Sequence, residues 1–451
     1  MKKYFGTDGI RGIANKDITP IMAFNIAKAG ANVLAKHSNN VPTILIGRDT
    51  RISGELIESA MIAGFLSCGA NVKTLGVVPT PTVAYLTRTI PADAGVVISA
   101  SHNSYEFNGI KFFSNLGMKI SDEVEEEIEK LIDDEKALQE LSVINEKIGR
   151  VENCEQLVEN YKEMFKDFEN MKVSSDFKVA IDTANGATYK VAEDVFKSLG
   201  INYHIINNEP NGININKDCG STHLEGLKKY VVENNMSIGI AYDGDGDRCL
   251  AVDEKGNTID GDVFLAVISM YLQEKGMLKK NTIVGTVMSN LGLNRFAEQH
   301  NMELKQTKVG DRYVLEEMLK EGYNLGGEQS GHMILLDYNP TGDGILTSLM
   351  FIKILLEKSL KTSDVWGIIK KYPQILINAT VDSSKKYDYN SNKDINEAIT
   401  KLEQEFMGQG RVLIRPSGTE PLVRVMIEGE DIDYITQKAK QIAILIEEKL
   451  R

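Results

Sequence analysis

Thr43-Ile44-Leu45-Ile46-Gly47, followed by Arg48-Asp49-Thr50-Arg51-Ile52-Ser53-Gly54, is the segment from which the organisation of the chain can be read. The first five residues read as a short buried strand. The polar run with its closing glycine reads as a loop, Glu55 to Cys68 as a helix, and Val72 to Leu75 as a second strand. Strand, polar loop, helix and strand in that order predict a βαβ unit on a parallel sheet. Ala94-Gly95-Val96-Val97-Ile98 continues the series and delivers Ser99-Ala100-Ser101-His102-Asn103 to its carboxyl end. That polar cluster predicts a surface loop aimed by a rigid strand. A serine beside a histidine suits a nucleophile, and equally suits an ordinary turn.

The pattern recurs. Lys178–Asp182 is a strand, Thr183–Ala187 a loop and Thr188–Leu199 a helix; Thr282–Val287 leads through Met288-Ser289-Asn290 to a helix from Leu291. Ahead of them, Pro20 to Lys36 reads as a helix with Thr19 as N-cap, and Ser121 to Leu138 as one charged helix with a solvated face. From about Tyr372 the plan changes: a strand (375–381), a helix (395–405), two strands (410–415 and 421–427) and a closing helix (431–450). The fold class predicted is α/β, with three similar α/β domains (1–153, 154–254 and 255–368) and a smaller C-terminal α+β domain (369–451).

The 451 residues carry a net charge of −13, which argues against broad nucleic-acid binding. Small anionic ligands need only local positive charge. Cys68, Cys154, Cys219 and Cys249 form no paired motif and read as reduced thiols, with a cytoplasmic location expected. No apolar run reaches the ~20 residues of a membrane span. Ile345 to Leu356, interrupted by Lys353, reads as a buried helix.

Asp243-Gly244-Asp245-Gly246-Asp247-Arg248 carries the strongest chemical signal. Three carboxylates at spacing two, on a loop that glycines allow to curl, suit a hard cation such as Mg²⁺ or Ca²⁺. A plain acidic turn is the alternative, disfavoured because adjacent carboxylates repel one another. An EF-hand is excluded by Arg248 at the position requiring glycine, and by flanking strands where helices are needed. Three weaker segments accompany it. Gly6-Thr7-Asp8-Gly9-Ile10-Arg11-Gly12 is a turn-rich run that could face Arg11 toward a phosphate. Gly326-Gly327-Glu328-Gln329-Ser330-Gly331-His332 is equipped for sugar hydroxyls, with Lys308-Val309-Gly310-Asp311-Arg312 upstream. Arg415-Pro416-Ser417-Gly418-Thr419-Glu420, between two strands, suits an anion nest as well as a tight hairpin.

Taken in order, the Gly6–Gly12, Ser99–Asn103, Asp243–Arg248, Gly326–His332 and Arg415–Glu420 segments resemble the α-D-phosphohexomutase superfamily, in detail its branch acting on glucosamine phosphates. The resemblance runs from residue 6 to residue 420. It implies that the domains surround one central cleft and that Ser101 carries a phosphoryl group. It implies Mg²⁺ on Asp243, Asp245 and Asp247 with an oxygen on Ser101. Glu328 and Ser330 would read sugar hydroxyls. Arg415, Ser417, Gly418 and Thr419 would grip the non-reacting phosphate. Arg11, His102, Lys111, Arg248, Lys308 and His332 match charged positions of the cleft, with Lys111 and His102 both open as general base.

The implied reaction converts glucosamine 6-phosphate to glucosamine 1-phosphate through a hexosamine 1,6-bisphosphate, which also serves as activator, and supplies amino sugar for cell walls. A phosphomannomutase or phosphoglucomutase is the nearest alternative, and a catalytically silent sugar-phosphate-binding protein the alternative of another class. The expected partner is a small sugar phosphate, not nucleic acid or membrane; the oligomeric state is open, a homodimer included. Ser104 stands where many relatives have proline, so a more flexible loop is expected there.

Overall fold

The computed structural model describes residues 3–6, 8–36, 41–417 and 420–451. Two compact units divide them: residues up to Met288 together with Glu303–Val365, and Ser289–Met302 together with Trp366–Arg451.

Three sheets, each mixed in strand direction, build the first unit. The Thr43–Arg48 strand pairs in parallel with Asn71–Val77 and Ala94–Ile98, as a βαβ reading requires. The helix between the first two is Gly54–Ser67. On the far side of Ala94–Ile98 the sheet turns antiparallel, through Phe107–Ser114 and then Gly9–Ile13. The sequence predicted only the parallel part. The short return over residues 99–106 cannot hold a parallel crossover, which needs a dozen or more residues, so the chain folds straight back. Beneath this sheet, Pro20–Leu34 packs its Ala and Ile face into a core with Ile44, Ile46, Phe65, Val96, Ile98 and Phe112. Thr19 caps that helix by accepting the Met22 N–H.

The second sheet places Ile238–Tyr242 between the parallel strand Lys178–Asp182 and the antiparallel strand Cys249–Asp253. Tyr242 pairs with Cys249, so residues 243–248 form the tip of a β-hairpin. The third sheet has the order Glu303–Thr307, Thr282–Thr286, Leu325–Gly327, Met333–Leu335. Gly326 and Gly327 therefore belong to a strand, and the loop begins at Glu328.

In the second unit, Gln374–Thr380 and Gly410–Pro416 flank Leu422–Gly429 in an antiparallel sheet. Helices Lys393–Phe406 and Ile432–Leu450 cover it. The Leu291–Gln299 helix also belongs to this unit. Buried Glu428 accepts its Leu291 N–H and pairs with Arg411 at 2.7 Å.

Two expectations need correction. Ser121–Leu138 is two helices, Asp122–Ile132 and Glu135–Glu140, because Asp134 leaves the helix to cap the second by accepting the Ala137 N–H. Nor is the face simply solvated: Glu129 is buried and accepts the backbone N–H groups of Tyr4 and Phe5 at 2.6 and 2.7 Å. The Ser99–Ser101 loop is also not on the surface. Ser99, Ala100 and Ser101 are buried, covered by the hairpin tip of the second sheet and by Arg51.

Among the described residues the four cysteines are free, and no helix is long and apolar enough to cross a membrane.

Candidate active site

Asp243, Asp245 and Asp247 alternate with glycines along the hairpin tip, and each offers a carboxylate oxygen within 4.8 Å of the others. All three are buried. Ser101 reaches the same point from the first sheet, its Oγ donating to Asp243 Oδ2 at 2.6 Å. Burial, then the charges of Asp247 and Asp245, push Asp243 well above the usual carboxylate range. Asp245 Oδ1 and Asp247 Oδ1 are buried without a hydrogen-bond partner among the described residues. An all-oxygen donor set with unsatisfied buried lone pairs fits a hard divalent cation.

Cationic side chains surround this core. Lys111 points from Phe107–Ser114 and lies 2.8 Å from Asp245, 3.0 Å from Asp8 and 3.6 Å from Asp247. Burial opposes its charge, but the carboxylates of Asp245, Asp8 and Asp247 outweigh burial and hold the ammonium protonated. Asp8 also pairs with Arg11 and Lys119. Its burial is outweighed by Lys111, Lys119 and Arg11, which hold it well below the carboxylate range.

His102 is different. Burial, then Arg248 and Arg11, lower it to about 4, so its imidazole is neutral at pH 7. Its Nδ1 lies 3.4 Å from Ser101 Oγ and 3.3 Å from Arg248 Nη1. Arginine only donates, so Nδ1 presents a lone pair and the proton sits on Nε2. Arg11 and Arg248 each keep a buried Nε–H with no acceptor among the described residues, a disposition that suits an incoming anion.

His332 from the third sheet stands between Asp247, at 3.6 Å, and Asp311, at 3.4 Å. The backbone secures that approach: Cys249 N–H donates to Gly331 O at 3.0 Å. Glu328 Oε1 accepts the Gly310 N–H at 3.0 Å. Ser330 and Lys308 are exposed, and Lys308 Nζ lies 5.8 Å above the Tyr313 ring, so neither joins the charged cluster.

In the second unit, Arg415 pairs across the hairpin with Arg424, like charge facing like, and has no carboxylate partner among the described residues. Ser417 Oγ accepts the Glu420 N–H, and its carbonyl accepts Lys386 Nζ at 2.9 Å. Gly418 and Thr419 lie outside the described residues.

Sequence reading did not assign roles to Asp8, Asp49, Arg51, Thr80, Lys119, Asn216 or Asp311. Thr80 Oγ1 donates to Asp245 Oδ2 at 2.7 Å. Lys119 joins Asp8 to Asp311. Arg51 and Asn216 both donate to the Ser101 carbonyl. The signals available were Arg48–Gly54, a polar run after a buried strand that is richer in charge than a turn needs, and the Gly6–Gly12 and Lys308–Arg312 runs that hold Asp8 and Asp311. Lys119 and Asn216 stand in ordinary polar sequence.

Four family models match the chain in order. They are the phosphoglucomutase/phosphomannomutase alpha/beta/alpha domains I, II and III, at residues 2–139, 157–256 and 260–372, and the C-terminal domain of the same proteins at residues 376–445. The fold is that of three α/β/α domains and a C-terminal domain, and the protein is an enzyme of the phosphohexomutase class. A solved phosphoglucomutase/phosphomannomutase family protein from Burkholderia thailandensis superimposes with a TM-score of 0.78, at 23% identity and 98% coverage of both chains. The N-acetylphosphoglucosamine mutase of Aspergillus fumigatus, solved in complex with GlcNAc-6P and magnesium, gives a TM-score of 0.72 at 17% identity, covering 100% of this chain and 96% of that one. Phosphoglucosamine mutase of Ruminiclostridium cellulolyticum is 52% identical over the full length of both chains. The chain belongs to the phosphoglucosamine mutase branch of the phosphoglucomutase/phosphomannomutase family.

Proposed function

We propose that the enzyme interconverts glucosamine 6-phosphate and glucosamine 1-phosphate, with Ser101 carrying the phosphoryl group and hexosamine 1,6-bisphosphate as the intermediate. The supporting observation is the 2.6 Å contact of Ser101 Oγ with Asp243, inside a carboxylate cluster that has oxygens to spare. Full-length identity to phosphoglucosamine mutases supports the choice of sugar.

Asp243, Asp245, Asp247 and the oxygen on Ser101 would hold Mg²⁺, which when bound neutralises charge on the transferring phosphoryl oxygens. The side chains do the rest. Phosphoryl transfer depends on positioning and charge more than on covalent chemistry. Arg248 and Arg11 supply N–H donors for phosphate oxygens. Lys111 contributes positive charge beside Asp245. Of the two candidate bases, His102 is neutral and carries a lone pair on Nδ1, met by Arg248 Nη1 at 3.3 Å; Lys111 can accept a proton only after losing one that three carboxylates retain. Glu328, Ser330, His332 and Lys308 are assigned to the sugar. Arg415 and Ser417, with Gly418 and Thr419, are assigned to the phosphate that is not being transferred; Arg415, which faces Arg424 and has no carboxylate partner among the described residues, favours an anion there, while Arg424 pairs with Glu420 at 3.5 Å. The product would feed amino-sugar synthesis for cell walls, in the cytoplasm.

The test is a substrate comparison followed by phosphorus NMR, with Mg²⁺ and a trace of hexose bisphosphate. Glucosamine 6-phosphate, mannose 6-phosphate and glucose 6-phosphate are supplied in turn. Preferred conversion of glucosamine 6-phosphate, abolished in Ser101→Ala, is the expected result. Preference for mannose or glucose phosphate overturns the sugar assignment alone. Turnover surviving in Ser101→Ala overturns the phosphoserine mechanism.

A further inference from the structure

Ser101 has a φ of +52°, in the left-handed region that side-chain-bearing residues rarely occupy. Such a conformation persists only where its surroundings impose it, and here both backbone groups of Ser101 are held. Its N–H donates to Ser99 Oγ at 2.9 Å, and Ser99 Oγ donates to Asp49 Oδ2 at 2.5 Å. Its carbonyl accepts Arg51 Nη2 at 2.9 Å, and Arg51 Nε donates to the same Asp49 Oδ2 at 2.8 Å. One buried carboxylate, Asp49, therefore anchors both sides of the serine's peptide.

Arg51 does more than hold Ser101. It also donates to the carbonyls of Asn103 at 2.8 Å, Phe107 at 3.0 Å and Ser104. A lysine has the charge but not the planar fork for this arrangement. From the second sheet's domain, Asn216 Nδ2 donates to the Ser101 carbonyl at 2.8 Å and to that of Asn103 at 3.0 Å. Two further bonds tie the loop of Arg51 to that domain: Thr50 Oγ1 to Asn185 O at 2.6 Å, and Ile52 N–H to Gly212 O at 2.9 Å. The loop bearing Ser101 and the domain bearing the three aspartates are thus fixed to each other through Arg51 and Asn216.

We infer that Asp49, Arg51 and Asn216 are positioning residues that hold Ser101 in its left-handed conformation, aiming Oγ at Asp243. None of the three touches the reacting oxygen. The inference rests on Ser101 as phosphoryl carrier. The Ser104 carbonyl, in the segment where a more flexible loop is expected, is one of Arg51's acceptors.

The experiment uses Asn216→Gly, Asn216→Asp and Arg51→Lys in the full-length enzyme, with Ser101→Ala alongside. Asn216 itself has a φ of +58°, so glycine removes the donor without straining the backbone. Aspartate keeps the shape but turns a charged oxygen toward two carbonyls. The amount of phosphorylated Ser101 is measured by intact mass, and kcat and KM are expressed per phosphorylated molecule. The expected result is a fall in kcat of about tenfold or more in Asn216→Gly and Arg51→Lys, because about 1 Å of misplacement can cost ~10²-fold. Asn216→Asp falls further. KM for glucosamine 6-phosphate stays within about twofold, and hydrogen exchange in the 99–103 segment accelerates. A merely structural role lowers the melting temperature and leaves kcat per phosphorylated molecule at the parent value; that result overturns the inference. Should Arg51→Lys fail to fold, the two Asn216 variants decide. Activity lost in Ser101→Ala but intact in Asn216→Gly refutes the positioning role alone. Activity surviving in Ser101→Ala refutes the phosphoserine reading beneath it.

Discussion

Replacing Gly244 by alanine adds one methyl group between the first two aspartates and tests how closely the hairpin tip is pressed onto the Ser101 loop. A Cβ at Gly244 would stand 2.5 Å from the Ser101 carbonyl oxygen, 2.7 Å from Asn216 Nδ2 and 2.9 Å from Ile215 Cδ1. Contacts of Cβ atoms essentially never fall below 3.0 Å, so the tip must retreat from Ser101 by 0.5 Å or more. The neighbouring atom is backbone, fixed from the other side by Arg51, so it cannot swing away. Overpacking of this kind costs roughly 1–3 kcal/mol. The retreat also lengthens the 2.6 Å contact between Ser101 Oγ and Asp243, for which roughly 10-fold to 10²-fold in turnover is expected. Thermal unfolding by circular dichroism and turnover by phosphorus NMR measure the two effects. Gly226→Ala is the internal control. It lies in the helix Glu225–Glu233, and nothing stands within 4 Å of its added Cβ. There alanine should stabilise by about 0.5–1 kcal/mol through helix propensity alone. Gly244→Ala with the parent's melting temperature and turnover would refute the packing argument.

Mg²⁺ at about 100 times its Kd should stabilise the parent by about 2.7 kcal/mol, a gain that EDTA reverses and Asp245→Asn greatly reduces; an unchanged thermal melt with and without the ion refutes cation binding at the three aspartates. Asp343, fully buried at the N-cap of Gly344–Lys358, is pushed by burial from the ordinary 3.8 up to about 6. The folded protein therefore holds this proton more tightly than the unfolded chain. Its contribution to stability is fully present below about pH 4 and is lost as pH rises through 6, on the order of 3 kcal/mol in all. Urea unfolding between pH 4 and 8 should show that decline, and Asp343→Asn should flatten it; an equal slope in parent and variant rules out Asp343 as its source.

The sequence by itself determined the local units: where strands hand over to polar loops, where helices start, and which runs carry chemistry. Alternation of apolar strands with helical patterns is a short-range property, so three α/β domains and a different fourth were legible, as was the hairpin carrying Asp243, Asp245 and Asp247. The sequence also singled out Ser101-His102 and Arg415-Pro416-Ser417 as candidates, with an ordinary turn or hairpin left open for each. Only the tertiary structure decided what surrounds them. Burial of Ser101 depends on Asp243, which lies 142 residues away in the chain, and its left-handed backbone depends on Asn216, 115 residues away. Lys111 and His102 look equivalent as candidate bases in sequence, yet three carboxylates hold one charged while two arginines help keep the other neutral. A side chain's charge state and conformation are set by the field and packing of neighbours that the chain brings together only on folding, and sequence periodicity does not encode which neighbours those are.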